Sequence, residues 1–348
     1  MPLLTLPTSP FQPPSTLYLL LFHPLYTLLN TLHTLLLSLR GQPYKPPPSQ
    51  LPIPITCISD THSKYPRLPP SGELLIHSGD LTNTGTLNSI QQTLDWLKSH
   101  QKPWPGSRDG YRYILVIAGN HDSYLDERSR NPHDTRTSRG KNGRKLDWGK
   151  IIYLQHGEVT LTFPGDRKLK IYGAPQIPKC GGKEFAFQYE RGVDAWSNTI
   201  PDDVDVLVTH NPPKWHCDIA ANGGLGCEYE LKECWRVKPT LHVFGHVHGG
   251  YGREYVWWDE GTRLMEEVRR CAVIAYPGRQ KEGLVALFAE LLNLKLYSLG
   301  LRLLVADVKG LLWTRLWKGV RNGSIMVNAA LTYQTTERLG NAPQTIML

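Results

Sequence analysis

Short apolar runs rich in β-branched residues recur through the middle of the chain, and each one stops at a polar residue. The runs cover residues 53–58, 74–76, 114–118, 204–208 and 241–244. Such runs, bounded by turn-forming residues, predict buried strands. Segments with helical spacing lie between them, as after Gly85, where Ile90, Leu94 and Leu97 recur at intervals of three and four. The alternation predicts an α/β fold with its strands in the interior.

Each of these runs is followed by residues of types that commonly bind metals. In chain order these are Asp60, His62, Asp80, Asn120, His210, His246 and His248. In open α/β sheets, reactive groups gather at the carboxyl ends of the strands. Mixed imidazole and carboxylate donors suit Zn, Fe or Mn better than Mg, which prefers oxygen. The sequence therefore predicts a centre for two divalent ions, with Asp80 as the carboxylate that bridges them.

Each fragment alone has an ordinary structural interpretation. An Asp and a His two positions apart are common, residues 119–122 have the composition of a turn, and two histidines can cap a strand. The complete set, in this order and after apolar runs, favours the metal centre. By contrast, His77 and His242 lie inside predicted strands, and we expect them to be hydrogen-bonded residues of the core or of a strand edge.

The order of these motifs resembles the calcineurin-like metallophosphoesterase superfamily. Residues 56–63, 169–175 and 241–252 are similar to its branch of metallophosphoesterase-domain proteins, which is related to class III cyclic-nucleotide phosphodiesterases. The resemblance implies a four-layer α/β/β/α sandwich, with two mixed sheets face to face and helices outside. It also implies hydrolysis of phosphodiesters, with cyclic nucleotides as candidates, by a metal-bound hydroxide and without a covalent phosphoenzyme.

The resemblance assigns roles to the candidate residues. One ion would be held by Asp60, His62, Asp80 and His248, and the other by Asp80, Asn120, His210 and His246. His121 would protonate the leaving oxygen or stabilise charge on the phosphoryl group, and Asp122 would orient its ring. The expected cofactors are two divalent ions (Mn, Fe or Zn), and the expected partner is a small phosphoester substrate.

Two segments outside this pattern divide the chain into four parts. Residues 1–49 hold no acidic residue and combine a hydrophobic helix over 17–39 with a Pro-rich linker. The core is expected over 50–257, a helical insertion over 258–321, and the closing strands and tail over 322–348. Within the insertion, residues 284–317 are predicted to form a long helix or a helix pair broken by Gly300 and Gly310.

Both hydrophobic segments leave two interpretations open. Lys295, Arg302 and Lys309 recur on one side of a Leu- and Trp-rich segment, which is typical of a helix in a membrane interface. Residues 17–39 also have the length to span a bilayer. Alternatively, the two segments pack on the core or cover one another, which would remove most of the support for membrane contact. The polar residues 126–149 are predicted to be a surface insertion rather than a loop that brings an Arg to the site.

Composition narrows the function only slightly. The formal net charge of +8 suits a phosphate substrate or an anionic surface, and no nucleic-acid-binding module is recognisable, so no specific nucleic acid is expected. Six cysteines without a C-x-x-C pair indicate reduced thiols and a cytoplasmic protein, with membrane association as the open alternative. Two other functions stay open: a phosphomonoesterase or protein phosphatase on the same site, and a membrane-associated binding protein with weak or no activity.

Overall fold

The computed structural model describes residues 9, 11–46, 49–102, 107, 109–132, 145–272, 283–317 and 322–348. The strands are β1 (Pro54–Ile58), β2 (Ser71–Ser78), β3 (Gly110–Ile117), β4 (Ile152–Tyr153), β5 (Gly157–Phe163), β6 (Arg167–Ala174), β7 (Ile177–Pro178), β8 (Gln188–Tyr189), β9 (Val206–Thr209), β10 (Leu241–Phe244), β11 (Gly252–Trp257), β12 (Gly323–Asn328) and β13 (Gln344–Met347). The helices are α1 (Thr16–Phe22), α2 (Pro24–Arg40), α3 (Leu87–Ser99), α4 (Glu228–Val237), α5 (Glu260–Cys271), α6 (Leu284–Leu291) and α7 (Leu294–Arg315).

Two mixed sheets carry the fold. The first has the order β13-β1-β2-β3-β4, and the second has the order β11-β12-β10-β9-β6-β5. Strands β1 to β4 are parallel, and so are β12, β10, β9 and β6, while the antiparallel strands lie at the edges. In each sheet the parallel strands therefore end at one common edge, which is where the polar residues that follow them collect.

Successive side chains of a strand point to opposite faces of its sheet, and this alternation produces the layers of the sandwich. Inward residues of the first sheet, such as Cys57 and Ile76, pack against Val208 and Val243 of the second sheet. The outer face of the first sheet is covered by α3, and that of the second sheet by α4 with Trp196 and Trp258. This is the expected α/β/β/α sandwich, so the predicted fold class is confirmed.

The remaining helices form a separate cluster, in which α2 packs on α7 and α7 packs on α5. Its interior is apolar and includes Leu29, Met265 and Leu299. The hydrophobic helix expected over 17–39 is two helices, because α1 ends at Phe22 and Pro24 starts α2. Proline is tolerated there because the first helical N–H has no partner inside the helix. The two leucine-rich segments thus pack on one another.

The prediction that Gly300 and Gly310 interrupt the second segment is wrong. Helix α7 runs through both glycines, and the break lies before it, where the Asn293 side chain caps the backbone N–H of Leu296. The glycines serve close packing, because a Cβ on Gly300 would press against the Leu29 side chain and one on Gly310 against Arg40. A helix crossing, rather than a turn, explains their positions.

In the described part of the chain, no single helix combines the length and hydropathy of a membrane span. Two helix pairs reach that length and hydropathy together, but each pair is bent, α1–α2 by 120° and α6–α7 by 64°. Parts of two predicted segments lie outside the described residues. These parts are residues 133–144 of the surface insertion, and residues 273–282 and 318–321 of the helical insertion.

Candidate metal centre

Several predicted donors occupy turns with left-handed backbone directly after a strand. Asp60 and His62 follow β1 with φ of 53° and 46°, Asp80 follows β2 with φ of 52°, and His246 follows β10 with φ of 62°. Such angles are uncommon outside glycine and cost on the order of 1 kcal/mol or more per residue. Four of the seven candidate ligands have this backbone conformation, which indicates that their turns are shaped for a site.

Two glycines allow the strands to approach closely at this edge. A Cβ on Gly119 would overlap Oδ1 of Asp80, and one on Gly245 would overlap Oδ2 of Asp60. Gly119 precedes Asn120 and Gly245 precedes His246. Glycine is therefore required where the two sheets bring their polar residues together.

The two carboxylates are buried among imidazoles. Oδ1 of Asp60 lies 3.1 Å from Nε2 of His248 and 4.0 Å from Nε2 of His62. Oδ2 of Asp80 lies 3.7 Å from Nε2 of His62, and its Oδ1 lies 3.4 Å from Nε2 of His210. The two oxygens of Asp80 thus face different histidines, which is the geometry expected of a bridging carboxylate.

His210 and His248 each donate a hydrogen bond from Nδ1. In the neutral ring, the lone pair of Nε2 then points at another acceptor atom. Nδ1 of His210 donates to the Ser78 carbonyl over 2.9 Å, and its Nε2 lies 3.0 Å from Oδ1 of Asn120. Nδ1 of His248 donates to the Gln334 carbonyl over 2.9 Å, and its Nε2 faces the Asp60 carboxylate. A neutral imidazole that donates from Nδ1 has only an acceptor at Nε2. Two acceptor atoms that face one another repel, unless a cation lies between them. That cation is either a proton or a metal ion.

The pKa values of the buried carboxylates and of His210 also indicate that this cluster needs positive charge. Burial raises the pKa of Asp60, but His248 outweighs it and holds that pKa below its usual range. Burial also raises the pKa of Asp80, and His210 more than compensates. In turn, burial lowers the pKa of His210, while Asp80 raises it to about 9. Protons on imidazoles here do what a divalent ion would do, so the residues fit bound metal.

The remaining candidate donors lie around this centre. Donor atoms of His62, Asp80 and His121 come within 4.8 Å of one another, as do those of Asp60, Asp80 and His210. The ring of His246 lies 5.2 Å from that of His210, and its backbone N–H donates to Asp60 over 3.0 Å. The structure therefore brings all seven predicted ligands to one edge of the sandwich.

His121 and Asp122 have different environments. The His121 ring lies 4.9 Å from the ring of Phe185, and its Nδ1 lies 3.2 Å from the Asn83 carbonyl oxygen. The expectation that Asp122 orients this ring is wrong. The buried Asp122 carboxylate instead accepts backbone N–H groups of Leu81, Thr82 and Gly119, over 3.1, 3.0 and 2.8 Å. Asp122 joins the turns that carry Asp80 and Asn120.

Sequence reasoning missed the groups that hold the donors in place. The carbonyls of Ser78, Asn83 and Gln334 are backbone groups, which leave no signal in residue types. The Thr332 hydroxyl, which donates to the Asp60 carbonyl over 2.7 Å, comes from a segment distant in sequence. Their contribution follows from the fold alone.

The two strand histidines behave as expected. Nε2 of His77 lies 2.9 Å from Oγ1 of Thr61, and Nε2 of His242 lies 2.8 Å from Oγ1 of Thr209. Both side chains are fully buried. The prediction that they are hydrogen-bonded core residues is confirmed.

A sandwich that gathers buried carboxylates, imidazoles and an amide at its strand ends defines a candidate metal-dependent phosphoesterase. Comparison with known proteins agrees with this class. The profile described as calcineurin-like phosphoesterase matches residues 53–250, and the chain belongs to this family. The resemblance found in the motifs is thus confirmed.

Curated relatives share this region with the chain. Probable rhamnogalacturonate lyase C of Emericella nidulans is 40% identical over 218 residues, which are 62% of this chain and 19% of that protein. Human metallophosphoesterase domain-containing protein 1 is 34% identical over 231 residues, 60% of this chain and 65% of that protein. The chain therefore spans less than two thirds of both relatives. The lyase name describes a protein of which the aligned part is under a fifth.

A nematode protein and a solved structure are also similar to this chain. UPF0046 protein C25E10.12 of Caenorhabditis elegans is 36% identical over 233 residues, 61% of this chain and 76% of that protein. The crystal structure of TT1561 of Thermus thermophilus covers 59% of this chain and 85% of its own, with a TM-score of 0.37 and 12% identity.

Proposed function

We propose that this protein is a phosphoesterase that uses two divalent ions to hydrolyse phosphodiesters, with cyclic nucleotides as candidate substrates. The observation that carries the proposal is the placement of acceptor atoms against acceptor atoms in a buried cluster, between His210 and Asn120 and between His248 and Asp60. The strand histidine His77, outside this cluster, has the Thr61 hydroxyl at 2.9 Å as its partner instead of a carboxylate or amide oxygen.

The residues that would hold the ions form two sets that share Asp80. The first set is Asp60, His62, Asp80 and His248, and the second is Asp80, Asn120, His210 and His246. Their nitrogen and oxygen donors suit Mn, Fe or Zn. When bound, two such ions polarise the phosphoryl oxygens and lower the pKa of water at the site.

The role we assign to His121 is contact with the substrate. Its Nδ1 faces the Asn83 carbonyl, so Nε2 is the nitrogen left to reach a phosphoester oxygen. Its ring is wedged beside Phe185 and His62, which fixes its direction. From this position a protonated ring gives its proton to the leaving oxygen.

The preference for diesters rests on residues 56–63, 169–175 and 241–252, which resemble a branch related to cyclic-nucleotide phosphodiesterases. The same ligand set would also serve a monoester, so the test compares the two kinds of substrate.

The test is hydrolysis of bis-p-nitrophenyl phosphate and of p-nitrophenyl phosphate by the manganese-loaded protein. We expect metal-dependent turnover that prefers the diester and is abolished in Asp80→Ala. Asp166→Ala is the matched control, because Asp166 is an exposed aspartate with nearly the same φ, 56° against 52°. Preference for the monoester would favour a phosphomonoesterase or protein phosphatase. Absence of turnover with metal bound would favour a binding protein.

A further inference from the structure

Helix α7 is apolar on two opposite faces. One face carries Leu296, Leu299 and Leu303, which are buried in the helical cluster. The other face exposes large apolar side chains at helical spacing: Leu294, Tyr297, Leu301, Val305, Val308, Leu312 and Leu316. A helix with apolar side chains on two opposite faces normally buries both of them. The exposed side of α7 therefore has the composition of a surface with a second apolar partner.

This exposed stripe continues onto the preceding helix. Helix α6 exposes Leu284, Val285, Phe288 and Leu291, and Leu292 between the two helices is 78% exposed. We call the exposed apolar side chains of α6 and α7 the leucine face. Helix α7 alone is about 33 Å long at 1.5 Å per residue. Soluble monomers rarely expose a contiguous apolar patch larger than a few hundred Å², so this face needs an explanation.

The charged side chains that α6 and α7 expose have one sign. The two acidic residues of these helices are buried, with Glu290 3.1 Å from His23 and Asp307 2.8 Å from His33. Lys295, Arg302 and Lys309 are exposed, and each follows a stripe residue by one position. Helices α1 and α2 contain no acidic residue, while α5 exposes Glu260, which lies 3.9 Å from Arg302. Helices α6 and α7 therefore remove their own negative charges from the surface and leave basic side chains along the stripe.

Trp313 and Trp317, like the basic residues, each follow a stripe residue by one position near the end of α7. Both are exposed, at 55% and 63%. Tryptophan is enriched where a protein meets the boundary between lipid head groups and acyl chains. Exposed leucines, flanking basic residues and tryptophans are the combination found in helices that lie in a membrane interface.

From this we infer that the leucine face docks on an anionic lipid bilayer, with α6 and α7 lying in its interface and Lys295, Arg302 and Lys309 against the head groups. The packing of the two segments on one another removes the support that came from their overall hydrophobicity, but it covers only the opposite face of α7 and leaves the leucine face exposed. A second copy of the chain is a poorer occupant. A symmetric pairing would bring the basic residues of both copies together, and α6 and α7 expose no acidic side chain to match them.

The experiment is sedimentation of the full chain with vesicles of phosphatidylcholine, or of an equimolar mixture of phosphatidylcholine and phosphatidylserine. We expect the protein to bind the mixed vesicles far better than the neutral ones. Changing Lys295, Arg302 and Lys309 together to Gln should weaken that binding on the order of 10²-fold, since each basic residue near an anionic surface contributes about fivefold.

A second variant tests the apolar part of the face. Leu301→Gln with Val305→Gln and Leu312→Gln should release the protein from both kinds of vesicle. The control is Leu51→Gln with Val193→Gln, which changes exposed apolar residues outside these helices and should bind like the unchanged protein. Turnover of a soluble diester should be equal in the unchanged protein, the basic variant, the apolar variant and the control. This separates the inference from the proposed function.

Two results would overturn the inference. One is binding to mixed vesicles that neither the apolar nor the basic variant weakens. The other is a dimer in solution that the Leu301, Val305 and Leu312 variant converts to a monomer, together with no binding to vesicles. The second result would assign the leucine face to another copy of the chain.

Discussion

His121 is held by one hydrogen bond and two ring contacts, and none of the Asp122 contacts described above involves it. If it supplies a proton to the leaving oxygen, His121→Ala should bind metal normally but turn over ~10²–10⁴-fold more slowly. The loss should be large for a diester with an alkyl leaving group and small for p-nitrophenolate, which leaves without protonation. The measurement is kcat on both substrates, with His100→Ala, a histidine at the end of α3, as the control. Equal losses on the two substrates would contradict the role of proton donor.

Another buried histidine, His216, lies away from the metal centre. Its Nδ1 lies 3.3 Å from Glu254 and its Nε2 3.4 Å from Glu266, while Arg269 and Asp218 lie in the same cluster. Burial lowers the pKa of His216, but Glu254 and Glu266 raise it to about 9. The unfolded value is about 6.5. The protonated ring therefore stabilises the fold fully below pH ~6.5, and this contribution is lost as the pH rises through about 9.

The expected result is a pH-dependent difference between the protein and its His216→Gln variant. Between pH ~6 and pH ~10, the free energy of unfolding should fall on the order of 2–3 kcal/mol more in the unchanged protein. Urea unfolding at the two pH values measures this. Parallel pH profiles would contradict the protonated state of His216.

At the residue scale, the sequence locates the candidate donors that the structure brings together, but not the groups that hold them in place. Asp80 and His210 could be found because each follows a strand-like apolar run. The role of Asp122 could not, since its partners are three backbone N–H groups and the Thr82 hydroxyl, which only the fold brings together. His23 and His33 carried no signal either, because their partners Glu290 and Asp307 are more than 250 positions away.

At the scale of elements, the pairing of α2 with α7 depends on a buried polar contact. The carboxylate of Asp307 lies 2.8 Å from Nδ1 of His33, and both side chains are almost fully buried. Asp307→Ala should lower the free energy of unfolding by about 3–5 kcal/mol, because it leaves His33 buried without its partner. Lys309→Ala, an exposed change on the same helix, should cost less than about 0.5 kcal/mol. Chemical unfolding compares them, and equal costs would contradict the importance of the pair.

Elements differ in how far the sequence determines them. Short β-branched runs indicate β1, β3 and β10, because buried strands need apolar residues on both faces. The order of strands in each sheet follows from contacts between distant segments and was not predicted. The arrangement of two sheets face to face came only from the family resemblance. For the glycines of α7 the sequence was misleading, since the same residue type ends a helix or permits a close crossing.

At the scale of the whole molecule, the candidate metal centre lies where the two sheets meet. Asp60 and Asp80 come from the first sheet and His210 and His246 from the second, so bound ions should stabilise the folded chain. Removing metal with a chelator should lower the thermal midpoint, and adding manganese should restore it. Ligand at 100 times its Kd contributes about 2.7 kcal/mol. A midpoint that does not change on adding manganese to metal-free protein would contradict this.

A centre for two ions bridged by Asp80 is tested directly by the metal content of the manganese-loaded protein, measured by mass spectrometry. We expect two ions per chain in the unchanged protein and in Asp166→Ala. Asp80→Ala should lose both, because its carboxylate would belong to both ligand sets. Two ions per chain retained in Asp80→Ala would contradict the bridging role, and an unchanged protein that binds no divalent ion would contradict the centre itself.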